Sequence, residues 1–118
     1  MKILIVEDSP TIANFLALEI KKEGYEVFVA YDAVQATMLM KKEQPDVLLL
    51  DINLPGGSGF LLYDRARFLI HTPLKIFIMT ALDPEKVEKF ISEKKIDQDS
   101  VFYKPVDVKK LINKIKEG

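Results

Sequence analysis

The sequence predicts an α/β fold, a doubly wound (βα)5 unit whose five-stranded parallel sheet has the order 2-1-3-4-5. Three observations lead there. Short apolar, β-rich runs alternate along the chain with amphipathic helical stretches. The first, third and fourth of these runs are nearly continuous in apolar residues, as parallel strands covered on both faces are. Capping residues, Pro and Gly punctuate the stretches between them. Crossovers between parallel strands are right-handed, so helices are expected on both faces of the sheet.

The first strand is read at Lys2–Glu7 and the second at Tyr25–Ala30. The third is Asp46–Leu50, the fourth Leu74–Met79 and the fifth Val101–Tyr103. Ser9 before Pro10 places a capping hydroxyl ahead of Pro at the first helical position. Ile12, Leu16 and Ile20, with Phe15 beside them, then give the first helix one apolar face, and Gly24 ends it. Asp32 caps a second helix that runs through Glu43 and stops at Pro45. Gly59 opens a third, Phe60–Ile70, and Asp83-Pro84 repeats the cap-then-Pro signal for a fourth. Asp107 caps a fifth, with Val108, Leu111, Ile112 and Ile115 as its buried stripe.

Composition narrows the class. A chain of 118 residues with 48% hydrophobic and 30% charged residues suits one folded domain, expected over residues 1–118. A net charge of −1 gives no footing for direct nucleic acid binding. Without Cys there are neither disulfides nor thiolate metal sites. The apolar run Ile3–Val6 is too short for a signal peptide or membrane span, so a cytoplasmic location is expected. No linker, repeat or low-complexity tract divides the chain.

Ligands of open parallel sheets bind beyond the carboxyl ends of the strands. There the sequence puts Glu7-Asp8 after the first strand, Asp51 and then Asn53 after the third, Thr80-Ala81 after the fourth, and Lys104-Pro105 after the fifth. Three carboxylates crowded together repel one another and raise at least one pKa. A hard divalent cation cancels that repulsion, and an all-oxygen donor set suits Mg²⁺. Lys104 adds a positive charge and Thr80 a hydroxyl donor. Taken singly, such residues more often cap helices or face water. Their joint placement at strand ends favours phosphoryl chemistry.

These residues carry a resemblance. With Glu7-Asp8, the segment D-I-N-L-P-G-G-S-G (Asp51 to Gly59), Thr80-Ala81 and Lys104-Pro105 in order, the chain resembles the receiver domain of bacterial two-component response regulators over its whole length. The resemblance implies a flavodoxin-like sheet and a phosphoacceptor at Asp51. It implies Mg²⁺ held by Asp8, Asp51 and the Asn53 backbone carbonyl, with Glu7 acting through water. Thr80 and Ala81 would bind and sense the phosphoryl group, Lys104 would ion-pair with it, and the bond before Pro105 would be cis. The implied partners are a sensor histidine kinase or phosphotransfer protein and a downstream protein target. The implied chemistry is confined to the chain's own phosphorylation and dephosphorylation, so it is not an enzyme on external substrates.

The chain departs from the family pattern in three places. Val101 stands where relatives often carry Tyr or Phe, with the aromatics instead at Phe102 and Tyr103. Lys95–Ser100 replaces a Gly-Ala-Asp turn, and Gly57 fills a position often larger and apolar. Output is nonetheless expected through the fourth helix, fifth strand and fifth helix. Other functions fit less well. A phosphohydrolase with a strand-end Asp nucleophile needs an acid two residues on, where Asn53 stands. A flavin or nucleotide carrier needs N–H donors after the first strand, where Glu7-Asp8-Ser9-Pro10 stands. A pure interaction module would have no use for the full polar set. His71 is read as an ordinary surface residue at the opposite edge.

Overall fold

The computed structural model describes residues 1–55 and 58–117, so Gly57 and its partner Gly56 lie outside the described residues. The elements are β1 Lys2–Val6, α1 Pro10–Lys21, β2 Glu26–Ala30, α2 Ala33–Glu43, β3 Val47–Asp51, α3 Ser58–Leu69, β4 Lys75–Thr80, α4 Pro84–Glu93, β5 Val101–Tyr103 and α5 Val108–Glu117. A short 3-10 turn, Gln98–Ser100, leads into β5. The strands form one parallel sheet in the order β2-β1-β3-β4-β5.

Alternate residues of each central strand enter two separate cores, because successive strand side chains point to opposite faces. Leu4, Val6, Leu48, Leu50 and Ile78 pack beneath α2, α3 and α4, against Ala36, Met40, Leu62, Ala66, Val87 and Ile91. Ile3, Ile5, Leu49, Phe77 and Met79 pack beneath α1 and α5, against Leu16, Ile20, Leu111 and Ile115. Each fully buried aliphatic side chain contributes roughly 1.5–3 kcal/mol, so the sheet is the rigid part that positions the site.

Strands β3 and β4 run one residue further toward the site than their apolar runs suggest. Backbone pairing, not apolarity, sets where they end. Asp51 pairs with Met79 and Thr80 with Tyr103, and the Lys104 amide still donates to the Thr80 carbonyl at 2.8 Å. Asp51 and Thr80 are therefore ladder residues, with side chains aimed by the pleat.

Helix α1 is rotated from its expected orientation. Ala13, Leu16, Ala17 and Ile20 face inward, while Ile12 and Phe15 are exposed. A spacing of four overshoots a helical turn, so Ile12 lies about 80° around the axis from Ile20. The two alanines let the helix sit close to the sheet. Ser9, Asp32 and Asp107 accept backbone N–H groups from Ile12, Gln35 and Lys110 as caps. Asp83 occupies the cap position of α4 without a side-chain cap bond, and its carbonyl accepts the Lys86 N–H at 2.9 Å instead. On α4, Val87 and Ile91 are buried, and Phe90 meets Phe60 edge-on at 4.8 Å between ring centres.

Among the described residues, Gly59 is the glycine demanded by a close approach. A Cβ there would stand 2.4 Å from the Ile52 Cα and 2.6 Å from the Ile52 carbonyl oxygen. Helix α3 thus presses directly on the backbone that follows Asp51. Gln44 closes α2 in the left-handed region at φ 46°, and its side chain holds the Leu69 carbonyl and the His71 amide. His71 is exposed at the amino end of β4, remote from the strand tips where the polar residues gather.

Candidate functional site

The carboxyl ends of β1, β3, β4 and β5 bring the expected residues together. Glu7 follows β1 directly, anchored by its amide to the Ala30 carbonyl at 3.0 Å. Carboxylate oxygens of Glu7, Asp8 and Asp51 all lie within 4.8 Å of one another. Glu7 and Asp51 are buried, and Asp8 faces solvent. The cluster is a set of hard oxygen donors with one open side, which fits a small divalent cation.

Lys104, immediately after β5, reaches across this cluster. Its Nζ donates to Glu7 Oε1 at 2.6 Å and to Asp51 Oδ2 at 2.8 Å. The Lys104–Pro105 peptide bond is cis. Asp51 Oδ1 accepts the Asn53 N–H at 2.8 Å, and Glu7 Oε2 accepts the Ser9 N–H at 3.1 Å. Burial pushes the Glu7 carboxyl above its ordinary 4.5. The Lys104 hydrogen bond opposes that rise without cancelling it, and the nearby Asp51 charge adds to it. Burial alone would lower the Lys104 ammonium. Its bonds to Asp51 and Glu7 outweigh that and hold it above its ordinary 10.5.

The β4 tip makes the other half of the site. Thr80 is buried, and its Oγ1 donates to Asn53 Oδ1 at 2.7 Å. The Ala81 N–H donates to the same oxygen at 3.2 Å. The Thr80 oxygen accepts the Leu82 N–H at 2.9 Å. Two of these relationships were not anticipated from sequence: the Asn53 side chain binding Thr80 and Ala81, and the direct pairing of Glu7 with Lys104. A buried hydroxyl needs an acceptor, and Asn53 was the neutral candidate, but contacts across 27 and 97 residues carry no local signal. Among the described residues, no buried side-chain polar atom is left without a partner.

A buried carboxylate on a strand tip, flanked by two more carboxylates, an ammonium and a hydroxyl, has the parts for accepting an electrophile beside a cation. The profile of the response regulator receiver domain matches residues 3–116. The chain belongs to that family. This receiver domain is 30% identical to the CheY-like response regulator receiver domain protein of Methanospirillum hungatei, with a TM-score of 0.86 over 98% of this chain and 90% of that one. It is 29% identical to the receiver domain of the Francisella response regulator 1452, with a TM-score of 0.79 over 98% and 93%. The receiver domain of a DNA-binding response regulator of Colwellia psychrerythraea is 26% identical, with a TM-score of 0.80 over 99% and 96%. Among the described residues, no helix is long and apolar enough to cross a membrane.

In this receiver domain the aromatic residues of β5 are split between faces. Val101 is buried on the α4 side, opposite Ile78. Phe102 points to the other core and meets Phe77 with ring centres 6.1 Å apart. Tyr103 is partly exposed, shares the Val101 side and stands opposite Thr80. It lines a surface groove of about 590 Å³ with Asp83, Pro84, Glu88 and Ile91.

Proposed function

We propose that Asp51 accepts a phosphoryl group from a phosphohistidine of a sensor histidine kinase or phosphotransfer protein. An Asp51 carboxylate oxygen attacks phosphorus, the bond from phosphorus to the donor nitrogen breaks, and an aspartyl phosphate remains. Asp8, Asp51 and the Asn53 carbonyl would hold Mg²⁺, with Glu7 acting through water. That ion neutralises phosphoryl oxygens when bound. Thr80 and the Ala81 N–H donate to the phosphoryl oxygens, and Lys104 pairs with their charge. The acceptance is self-limited: Asn53 lacks the titrating group a phosphohydrolase needs at that position, so no external ester is turned over.

The observation that carries this reading is Asp51 itself, a buried carboxylate at the β3 tip with Lys104 at 2.8 Å and two further carboxylates beside it. We read residues 1–118 as one cytoplasmic receiver unit that acts by protein contact, without direct nucleic acid binding. Its signal passes to a downstream protein through the surface of α4, β5 and α5. The test is incubation with acetyl phosphate and Mg²⁺ followed by mass spectrometry. A phosphoryl adduct on Asp51, absent in Asp51→Ala, is expected. Undiminished incorporation in Asp51→Ala would refute the assignment.

A further inference from the structure

Asn53 ties the Asp51 carboxylate to the tip of β4. Its N–H donates to Asp51 Oδ1 at 2.8 Å, while its Oδ1 receives the Thr80 hydroxyl at 2.7 Å and the Ala81 N–H at 3.2 Å. The Thr80 hydroxyl has one proton. Because its oxygen already accepts the Leu82 N–H at 2.9 Å, that proton points at Asn53. A single amide oxygen therefore holds both donors that β4 offers at the site.

We propose that the Asn53 side chain is an internal competitor of the phosphoryl group, occupying the Thr80 hydroxyl and Ala81 N–H until a phosphoryl oxygen on Asp51 displaces it. The inference rests on the reading of Asp51 as phosphoacceptor. The competition is stoichiometric. An amide oxygen and a phosphoryl oxygen are both acceptors, and each donor has one hydrogen to give. A charged phosphoryl oxygen forms the stronger bonds, so it wins once installed. The two neutral bonds that must break nonetheless weaken its hold by roughly tenfold. Asn53 is thus a positioning residue. It keeps the β4 tip in its unphosphorylated arrangement and sets how strong an acceptor must be to move it.

The test has two arms. The first measures amide hydrogen exchange at Ala81 without Mg²⁺ or any phosphoryl mimic. Asn53→Ala should lose protection there, and Asn53→Asp, which keeps an acceptor oxygen, should retain it. The second titrates beryllium fluoride, a phosphoryl mimic, in the presence of Mg²⁺. Asn53→Ala should bind it roughly tenfold more tightly than wild type, and Asn53→Asp more weakly. In a Thr80→Ala background the gain from Asn53→Ala should shrink to about threefold, because one of the two contested donors is gone and the Ala81 N–H remains. Unaltered exchange at Ala81 with normal mimic uptake would overturn the latch alone. So would an affinity gain that persists in full without Thr80. If neither wild type nor any variant takes up the mimic, the phosphoacceptor reading fails, and the competition fails with it.

Discussion

Lys104 Nζ lies 2.6 Å from Glu7 Oε1, joining residues 97 positions apart at the tips of the last and first strands. The same ammonium holds Asp51, so one cation serves two buried carboxylates. Removing one partner of a buried charge group costs more than the pair itself contributes, because the remaining charges lose their compensation.

Lys104→Met should therefore destabilise the metal-free protein by about 2–3 kcal/mol near neutral pH. The cost should shrink in mild acid, where Glu7 takes up a proton. Urea denaturation at two pH values would measure both quantities. Phosphorylation of this variant should persist at a reduced level, with a weakened response. A loss of stability that is the same at both pH values would show that Glu7 is not the group left uncompensated.

The pH dependence of the wild type follows from the same pair. Glu7 titrates above 4.5 when folded, so between 4.5 and its folded value the native state binds more protons than the unfolded chain. Stability should fall as pH rises through that window. Lys104 is likewise raised above 10.5. Its stabilisation is complete below 10.5 and should be lost as pH climbs past its folded value. Denaturation midpoints across the acid and alkaline ranges would check both signs. Glu7→Gln should remove the acid limb and weaken the alkaline one, because Glu7 is also one of the two groups that hold Lys104 up.

Asp51→Asn removes a charge that raises the Glu7 carboxyl and leaves Lys104 to Glu7 alone. The Glu7 titration should move down, visible in carboxyl carbon shifts. The global stability of the metal-free protein should change by less than about 1 kcal/mol, since a neutral ion pair remains. An upward move of Glu7 would contradict the arrangement.

Gly59→Ala should damage the site without touching any polar residue. Its methyl would stand 2.4 Å from the Ile52 Cα, so the backbone carrying Asn53 must shift. Overpacking of this kind costs about 1–3 kcal/mol. Acceptance from acetyl phosphate should drop together with stability, and calorimetry with the mass assay would record both.

For output, hydrogen exchange with and without beryllium fluoride should change in 80–94 and 101–104. Thr80 and Lys104 both end strands, so drawing them toward a phosphoryl group pulls on the backbone that enters α4 and on β5. Val101 is too short to swing between buried and exposed positions. Tyr103, opposite Thr80 and partly exposed, is the ring placed to respond. Tyr103→Ala should blunt the exchange change in α4, whereas Val101→Ala should chiefly lower stability. A response confined to the segment following Asp51 would rule out this route.

Much of this was legible in the chain. Near-continuous runs such as Ile3–Val6 and Val47–Leu50 announce buried parallel strands, and the strand-end placement of Asp51, Thr80 and Lys104 follows from them. What local pattern could not supply was rotation and partnership. Of the i, i+4 set Ile12, Leu16 and Ile20, the last two do face the core, but Ile12 does not, and Ala13 and Ala17 complete the inward face because small residues permit close approach. The strand ends at Asp51 and Thr80 depend on inter-strand hydrogen bonds that no apolar count reveals. The double role of Lys104 and the side-chain role of Asn53 are properties of three-dimensional neighbours.

The reach of Lys104 also bears on how the protein is made. During synthesis Glu7 and Asp51 leave the ribosome well before their counter-ion, which lies 53 residues beyond Asp51. At usual elongation rates that interval is roughly 3–10 s. A nascent chain that has already formed β1 and β3 would bring two carboxylates together before Lys104 is there to neutralise them. The protein's own counter-ion for the acidic centre is thus the last of its charged parts to be made, and it reaches Glu7 and Asp51 only with β5 docked on β4.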